Sequence, residues 1–340
     1  MTESPHHAVR LDRAALIRAI TTFLSDRDDQ TLNGMRVDLD RVIDDAGPDG
    51  LEALNGRLAG AGADWTYYPR DLLARRIHHV LAERLLDHGS GCDGIEHLAT
   101  VDGEPVVIFA NHLSYSDANL IEVLLDRAGG GALCDRLTVV AGPKVYSDLK
   151  RRFSSLCFGT IKVAQNSGRS SEDAVMNARD VARAARQSID TAHERLRRGD
   201  ALLLFAEGSR SRTGAMQPML AGAIRYLEGP DAWVLPVSIT GTETMFPIDD
   251  NTLYTVPVRA GVGRPVRASS LREAAAGDRQ LMIDAIGLAI ATLLPPSYRG
   301  TYGAGAPGLD RARDIAEAVW PATSQGSIAG AASNHRGTSG

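Results

Sequence analysis

The chain has 340 residues, room for one large domain or two ordinary ones, and 44% of them are hydrophobic, which is enough for a sizeable core. A formal net charge of −5 excludes a global electrostatic pull toward nucleic acid or anionic lipid, so any attraction to phosphate has to be local. Three cysteines without paired spacing (Cys92, Cys134, Cys157) exclude a disulfide framework or a cysteine metal site, and a reduced, cytoplasmic setting is expected.

Residues 1–9 are expected to be disordered, and no stretch there has the layout of a secretion signal. From 10 to 25, apolar residues recur at helical spacing, as they do more weakly at 35–45 and 50–58. The stretch 71–87 predicts a strong amphipathic helix, with Leu72, Leu73, Ile77, Val80, Leu81 and Leu85 on one side and Pro69 just ahead of its start. Residues 10–90 therefore read as a helical N-terminal unit. Strands are expected at 106–110, 137–141, 160–163, 201–205, 233–240 and 256–262, with a long helix over 172–198. This alternation predicts an α/β fold: a largely parallel central sheet flanked by helices, over 91–300. Residues 284–294 form the most apolar helical run. It ends at Pro295-Pro296, short of the roughly 18–20 residues that cross a bilayer, so lipid is expected to meet the chain only from the surface. A C-terminal helix region at 301–320 and a disordered Ser/Gly/Ala-rich tail at 321–340 complete the chain.

Two strand ends carry chemistry. Asn111-His112-Leu113-Ser114-Tyr115-Ser116-Asp117 follows the apolar run 106–110. A His with an Asp five positions on occurs four times in the chain, but only His112 directly follows a strand-like run, where ligands bind in open α/β sheets. An imidazole held by a carboxylate can act as general base on a hydroxyl. The bland alternative is that His112 caps a helix and Asp117 sits in its first turn. The second signal, Glu207-Gly208-Ser209-Arg210-Ser211-Arg212, follows the apolar run 201–206. Gly208 and Ser209 allow a tight turn, and Arg210 and Arg212 can meet an anion through bidentate hydrogen bonds. Its alternative is a solvated basic loop. Neither a nucleophile-elbow serine motif nor a His/Cys/Asp cluster with metal spacing is present, and no metal or cofactor is expected.

Together these segments resemble the glycerolipid acyltransferase family, which acylates glycerol-3-phosphate and lysophosphatidate. That family carries Asn-His-x-x-x-x-Asp and, later, Phe-Pro-Glu-Gly-Thr-Arg-Ser. Here they read Asn111-His112…Asp117 and Phe205-Ala206-Glu207-Gly208-Ser209-Arg210-Ser211, with Ala for Pro and Ser for Thr. Gly142-Pro143-Lys144-Val145 is similar to its lysine-bearing second block, and Val234-Leu235-Pro236-Val237-Ser238-Ile239 to its fourth. The resemblance spans about 95–268. It implies His112 as base with Asp117, Arg210, Arg212 and Lys144 on a substrate phosphate, and Asn111, Glu207, Gly208 and Ser209 in support. Glu207 could orient Arg210 or substrate hydroxyls, or only pair a nearby Arg. The implied reaction is acyl transfer from acyl-CoA or acyl carrier protein to a glycerol-phosphate hydroxyl in phospholipid synthesis. Lysophosphatidate leads as acceptor and glycerol-3-phosphate is the alternative. The enzyme would be cytoplasmic or peripheral on the inner face of the membrane. The reading from another class is a non-catalytic lipid-binding or tethering protein. Lys150-Arg151-Arg152, with Phe153, Leu156 and Phe158 nearby, could touch a lipid surface or an acidic carrier, or be merely solvated.

Overall fold

The computed structural model describes residues 11–21, 29–164, 178–248 and 253–321. The expected disordered ends (1–9 and, but for Pro321, 321–340) and the start of the helix expected from residue 172 lie outside them. The strands are β1 (Tyr67–Tyr68), β2 (Gly91–Asp93), β3 (Val106–Ala110), β4 (Leu137–Ala141), β5 (Gly159–Lys162), β6 (Ala201–Leu204), β7 (Trp233–Thr240), β8 (Arg259–Val262) and β9 (Val266–Arg267). The helices are α1 (Arg13–Thr21), α2 (Asp29–Gly60), α3 (Leu72–Leu85), α4 (Asp117–Leu125), α5 (Gly131–Cys134), α6 (Leu149–Ser155), α7 (Ala178–Arg197), α8 (Thr242–Met245), α9 (Ala268–Ala274), α10 (Arg279–Thr292) and α11 (Asp310–Val319).

One sheet runs in the order β1-β5-β4-β6-β3-β7-β8-β2, with β9 also on β7. Its centre, β5-β4-β6-β3-β7, is parallel throughout. β8 runs antiparallel to β7, and β1 antiparallel to β5. The protein is thus α/β with a mostly parallel sheet, as the alternation of elements predicts. Parallel strands covered on both faces read as unbroken apolar runs, and all five residues of β3 are fully buried. Val106, Ile108 and Ala110 face a core shared with Leu16, Leu39, Leu54, Ile77 and Ile121 of the N-terminal helices and α4. Val107 and Phe109 face the opposite core, with Leu196, Ile286 and Ala312 of α7, α10 and α11.

The differences from expectation are local. The two helices expected at 35–45 and 50–58 form one element, α2, broken at Gly47 (φ 69, ψ 180) just before Pro48. β1 joins the sheet edge from within the N-terminal helical segment. β8 starts three residues later than expected. Pro257 cannot donate to a ladder, and its carbonyl meets Gly241, where an added Cβ would lie 2.3 Å from that oxygen. Gly241 has φ 89, so it turns the chain sharply at the end of β7. Because β3, β4, β6 and β7 are parallel, the loops after Ala110, Ala141, Leu204 and Thr240 gather at one edge of the sheet.

Candidate active site

The site begins where β3 ends. Asn111 is fully buried and pairs with the backbone of β7: its amide nitrogen donates to the Ile239 carbonyl at 2.9 Å, and its oxygen accepts from the Ile239 N–H at 2.9 Å. The chain then turns, and His112 Nδ1 comes to 2.8 Å from Asp117 Oδ2. The same oxygen accepts the N–H groups of Leu113 (2.6 Å) and Ser114 (2.9 Å). Oδ1 accepts the Thr242 hydroxyl at 2.6 Å. Asp117 is wholly buried and opens α4, where the helix dipole favours an anion. Its four hydrogen-bond partners are all donors, which is what a buried carboxylate needs.

With Asp117 accepting from Nδ1, the imidazole proton is fixed there and Nε2 is left as the basic nitrogen. Nε2 has no hydrogen-bond partner among the described residues, and the side chain is 16% exposed. Phe205, at the end of β6, stacks on the ring with centroids 4.4 Å apart and planes at 24°. The ring is therefore held by a carboxylate at one edge and an aromatic face, with its other edge open. The other described His-x-x-x-x-Asp pairs do not form. His97 Nδ1 lies on the Val262 carbonyl, and Asp93 pairs Arg259 rather than His88.

Glu207, almost fully buried, accepts the His112 N–H (2.8 Å) through Oε1 and the Gln217 N–H (2.8 Å) through Oε2. Ser211 N–H donates to the His112 carbonyl at 2.7 Å. Both backbone groups of His112 are thus tied to the loop after β6. Burial pushes the Glu207 carboxyl up to about 7, against the lowering effect of its two N–H donors. The sequence leaves Glu207 to orient Arg210 or substrate hydroxyls, or to pair a nearby Arg; its two oxygens also brace two strand-end loops. Gly208 makes the turn possible with φ 73, and Ser209 is exposed.

The cations divide. Arg210 lies over the Tyr115 ring at 4.3 Å, and Arg151 of α6 over the same ring at 4.5 Å. Two guanidinium groups thus share one tyrosine ring. Arg212 is exposed and lines a cavity of about 660 Å³ with Ser211, Thr213, Glu243, Pro247 and Tyr298. Glu243 accepts the Tyr298 hydroxyl there. Lys144, half-buried, connects to this group through its carbonyl, which accepts from Arg151 at 3.2 Å; its ammonium shows no ion pair among the described residues. Tyr115, Thr242, Phe205 and Arg151 join these contacts without a site role in the sequence motifs. Tyr115 stands inside the first motif, and Thr242 follows β7 by two residues, so position relative to strand ends was the available signal.

At the carboxyl edge of the parallel sheet a carboxylate-held imidazole keeps one nitrogen open, and Arg210 lies over Tyr115 of the same turn; an imidazole so held can act as a general base. Residues 90–240 match the family model described as Acyltransferase. The chain is also similar to the crystal structure of the 1-acyl-sn-glycerophosphate (LPA) acyltransferase, PlsC, from Thermotoga maritima. That match covers 65% of this chain and 80% of the other, at 17% identity and a TM-score of 0.44. No curated protein matches the sequence. No described helix is long and apolar enough to cross a membrane.

Proposed function

We propose that the protein is an O-acyltransferase that moves a fatty acyl group from acyl-CoA or acyl carrier protein to a glycerol-phosphate hydroxyl. Lysophosphatidate is the acceptor placed first, and glycerol-3-phosphate is the alternative. The observation that carries the reading is the His112–Asp117 pair, which leaves Nε2 open at the carboxyl edge of the sheet. In this mechanism Nε2 takes the proton of the acceptor hydroxyl as its oxygen attacks the thioester carbonyl carbon. Asp117 steadies the imidazolium. Collapse of the tetrahedral intermediate breaks the carbon–sulfur bond, and the departing thiolate receives the proton back. Neither a covalent enzyme intermediate nor a metal or cofactor is needed; the thioester is a co-substrate.

Arg210, Arg212 and Lys144 are assigned to acceptor phosphate, and Asn111, Glu207, Gly208 and Ser209 to holding the strand-end loops in register. Lysophosphatidate is kept first as the acceptor, and the cavity that Ser211 and Arg212 line is assigned to it. A peripheral position on the inner membrane face goes with that choice.

The test is a donor-and-acceptor panel on purified protein, with labelled acyl-CoA and acyl carrier protein against both acceptors, for wild type and His112→Ala. Transfer by wild type and its collapse in the variant supports the reading. Equal turnover in the two removes the base, and no transfer with any pair leaves the lipid-binding or tethering protein.

A further inference from the structure

We propose that Thr242 is a positioning residue of the catalytic pair, the third member of a chain Thr242–Asp117–His112. The inference rests on the base role given to His112 and adds a component outside the sequence motifs. Its hydroxyl is fully buried and donates to Asp117 Oδ1 at 2.6 Å, across 125 positions of chain.

The division of labour on Asp117 is what gives Thr242 its part. Three donors, the His112 ring and the N–H groups of Leu113 and Ser114, converge on Oδ2. All three come from the same short turn as Asp117. Oδ1 faces the other way and depends on Thr242, which arrives from β7. A carboxylate gripped at one oxygen can still rotate about its χ2 torsion, whereas gripping both oxygens fixes its plane, and with it the direction of the bond to Nδ1. The approach of Thr242 is itself built. Gly241 takes φ 89 and packs its bare Cα against the Pro257 carbonyl, which swings the next residue back over the end of β3. Asn111 locks the same two strands through Ile239, so the end of β7 is tied to this turn at two points.

The isostere Thr242→Val removes the donor and keeps the shape. Asp117 then carries one donor fewer, so its negative charge acts more strongly on the imidazole; Glu207, the other ionisable group against His112, is the same in every variant, and His112 accepts a proton at higher pH. The acidic limb of the kcat/KM profile is expected to move up. kcat is expected to fall about tenfold, the lower end of what loss of such an outer partner does in metal sites, with the acceptor KM nearly constant. Thr242→Ser keeps the hydroxyl and restores both. A purely structural threonine would instead show lower thermal stability with an unmoved profile.

The decisive measurement is NMR titration of the His112 ring signals in wild type, Thr242→Val, Thr242→Ala and Thr242→Ser, alongside kinetics. It needs no turnover, so it separates failure of this inference from failure of the acyltransferase reading. A higher titration midpoint in Val and Ala, returned by Ser, supports the chain. A wild-type midpoint and wild-type kcat in folded Thr242→Val overturns it. If Val does not fold, the same outcome in Ala overturns it equally.

Discussion

Asp117→Asn is the sharpest perturbation of the proposed chemistry, because the structure dictates how the amide must sit. Its oxygen belongs at the Oδ2 position, where three donors point, and its NH2 faces Thr242, whose hydroxyl can turn to accept. The tautomer of His112 survives, and the negative charge is what is lost. At the low end, exchanging a charge-assisted hydrogen bond for a neutral one removes about 1 kcal/mol. At the high end, unit charges about 4 Å apart at an effective dielectric of 20 interact by about 4 kcal/mol. The expected fall in kcat/KM is therefore roughly 5- to 1,000-fold, at about 1.4 kcal/mol per decade. His112→Ala should lose about 10²–10⁴-fold, the usual contribution of a positioned base. Since Asp117 acts through His112, the double variant His112→Ala/Asp117→Asn should be no slower than His112→Ala alone. Steady-state kinetics with labelled donor over the four proteins makes this cycle. An Asp117→Asn enzyme as fast as wild type, or effects that multiply in the double variant, would refute the assignment.

Arg210→Ala should raise the acceptor KM roughly 10- to 100-fold, the weight of one charge-assisted bond, with a smaller change in kcat; an unchanged KM in initial-rate assays would contradict the phosphate role. Asn111→Ala strands the buried N–H and carbonyl of Ile239, and denaturant unfolding should show a loss of about 3 kcal/mol. Glu207 sets a pH dependence of stability. In the unfolded chain it ionises near the ordinary value of 4.5, in the fold near 7, so its stabilising contribution is complete below pH 4.5 and is lost as pH rises through 7. The loss amounts to about 3 kcal/mol. Unfolding free energies from pH 4.5 to 8 should carry this slope in wild type and lack it in Glu207→Gln.

The strands at 106–110, 137–141 and 233–240 were legible to the residue, because a strand buried on both faces is written as a continuous apolar run. The edge strands β1, β2 and β9 were not, since two or three residues leave no period to read. α10 begins at Arg279, five residues before the apolar run suggested, because Asp278 caps it by accepting from Gln280 and Leu281 N–H. In the site, His112 and Asp117 were readable because their contact is local. The Thr242 hydroxyl, the Glu207 brace and the Arg151–Tyr115–Arg210 stack join residues 36 to 125 positions apart, and spacing carries no information about such pairs. The same holds for the Arg75–Glu122–His79 network, centred on the buried Glu122, that fastens α3 to α4.

β3 has a hydrogen-bonded neighbour on each side, β6 and β7, and no solvent contact along its length. Its amides can exchange with deuterium only when the whole sheet opens, whereas loops at the edge exchange through local opening. The histidine follows directly on this strand, whereas Glu207 and Ser211, which hold its backbone, lie in an edge loop. Heat should therefore loosen the loop partners before the strand, and activity should fall at or below the temperature at which the fold melts.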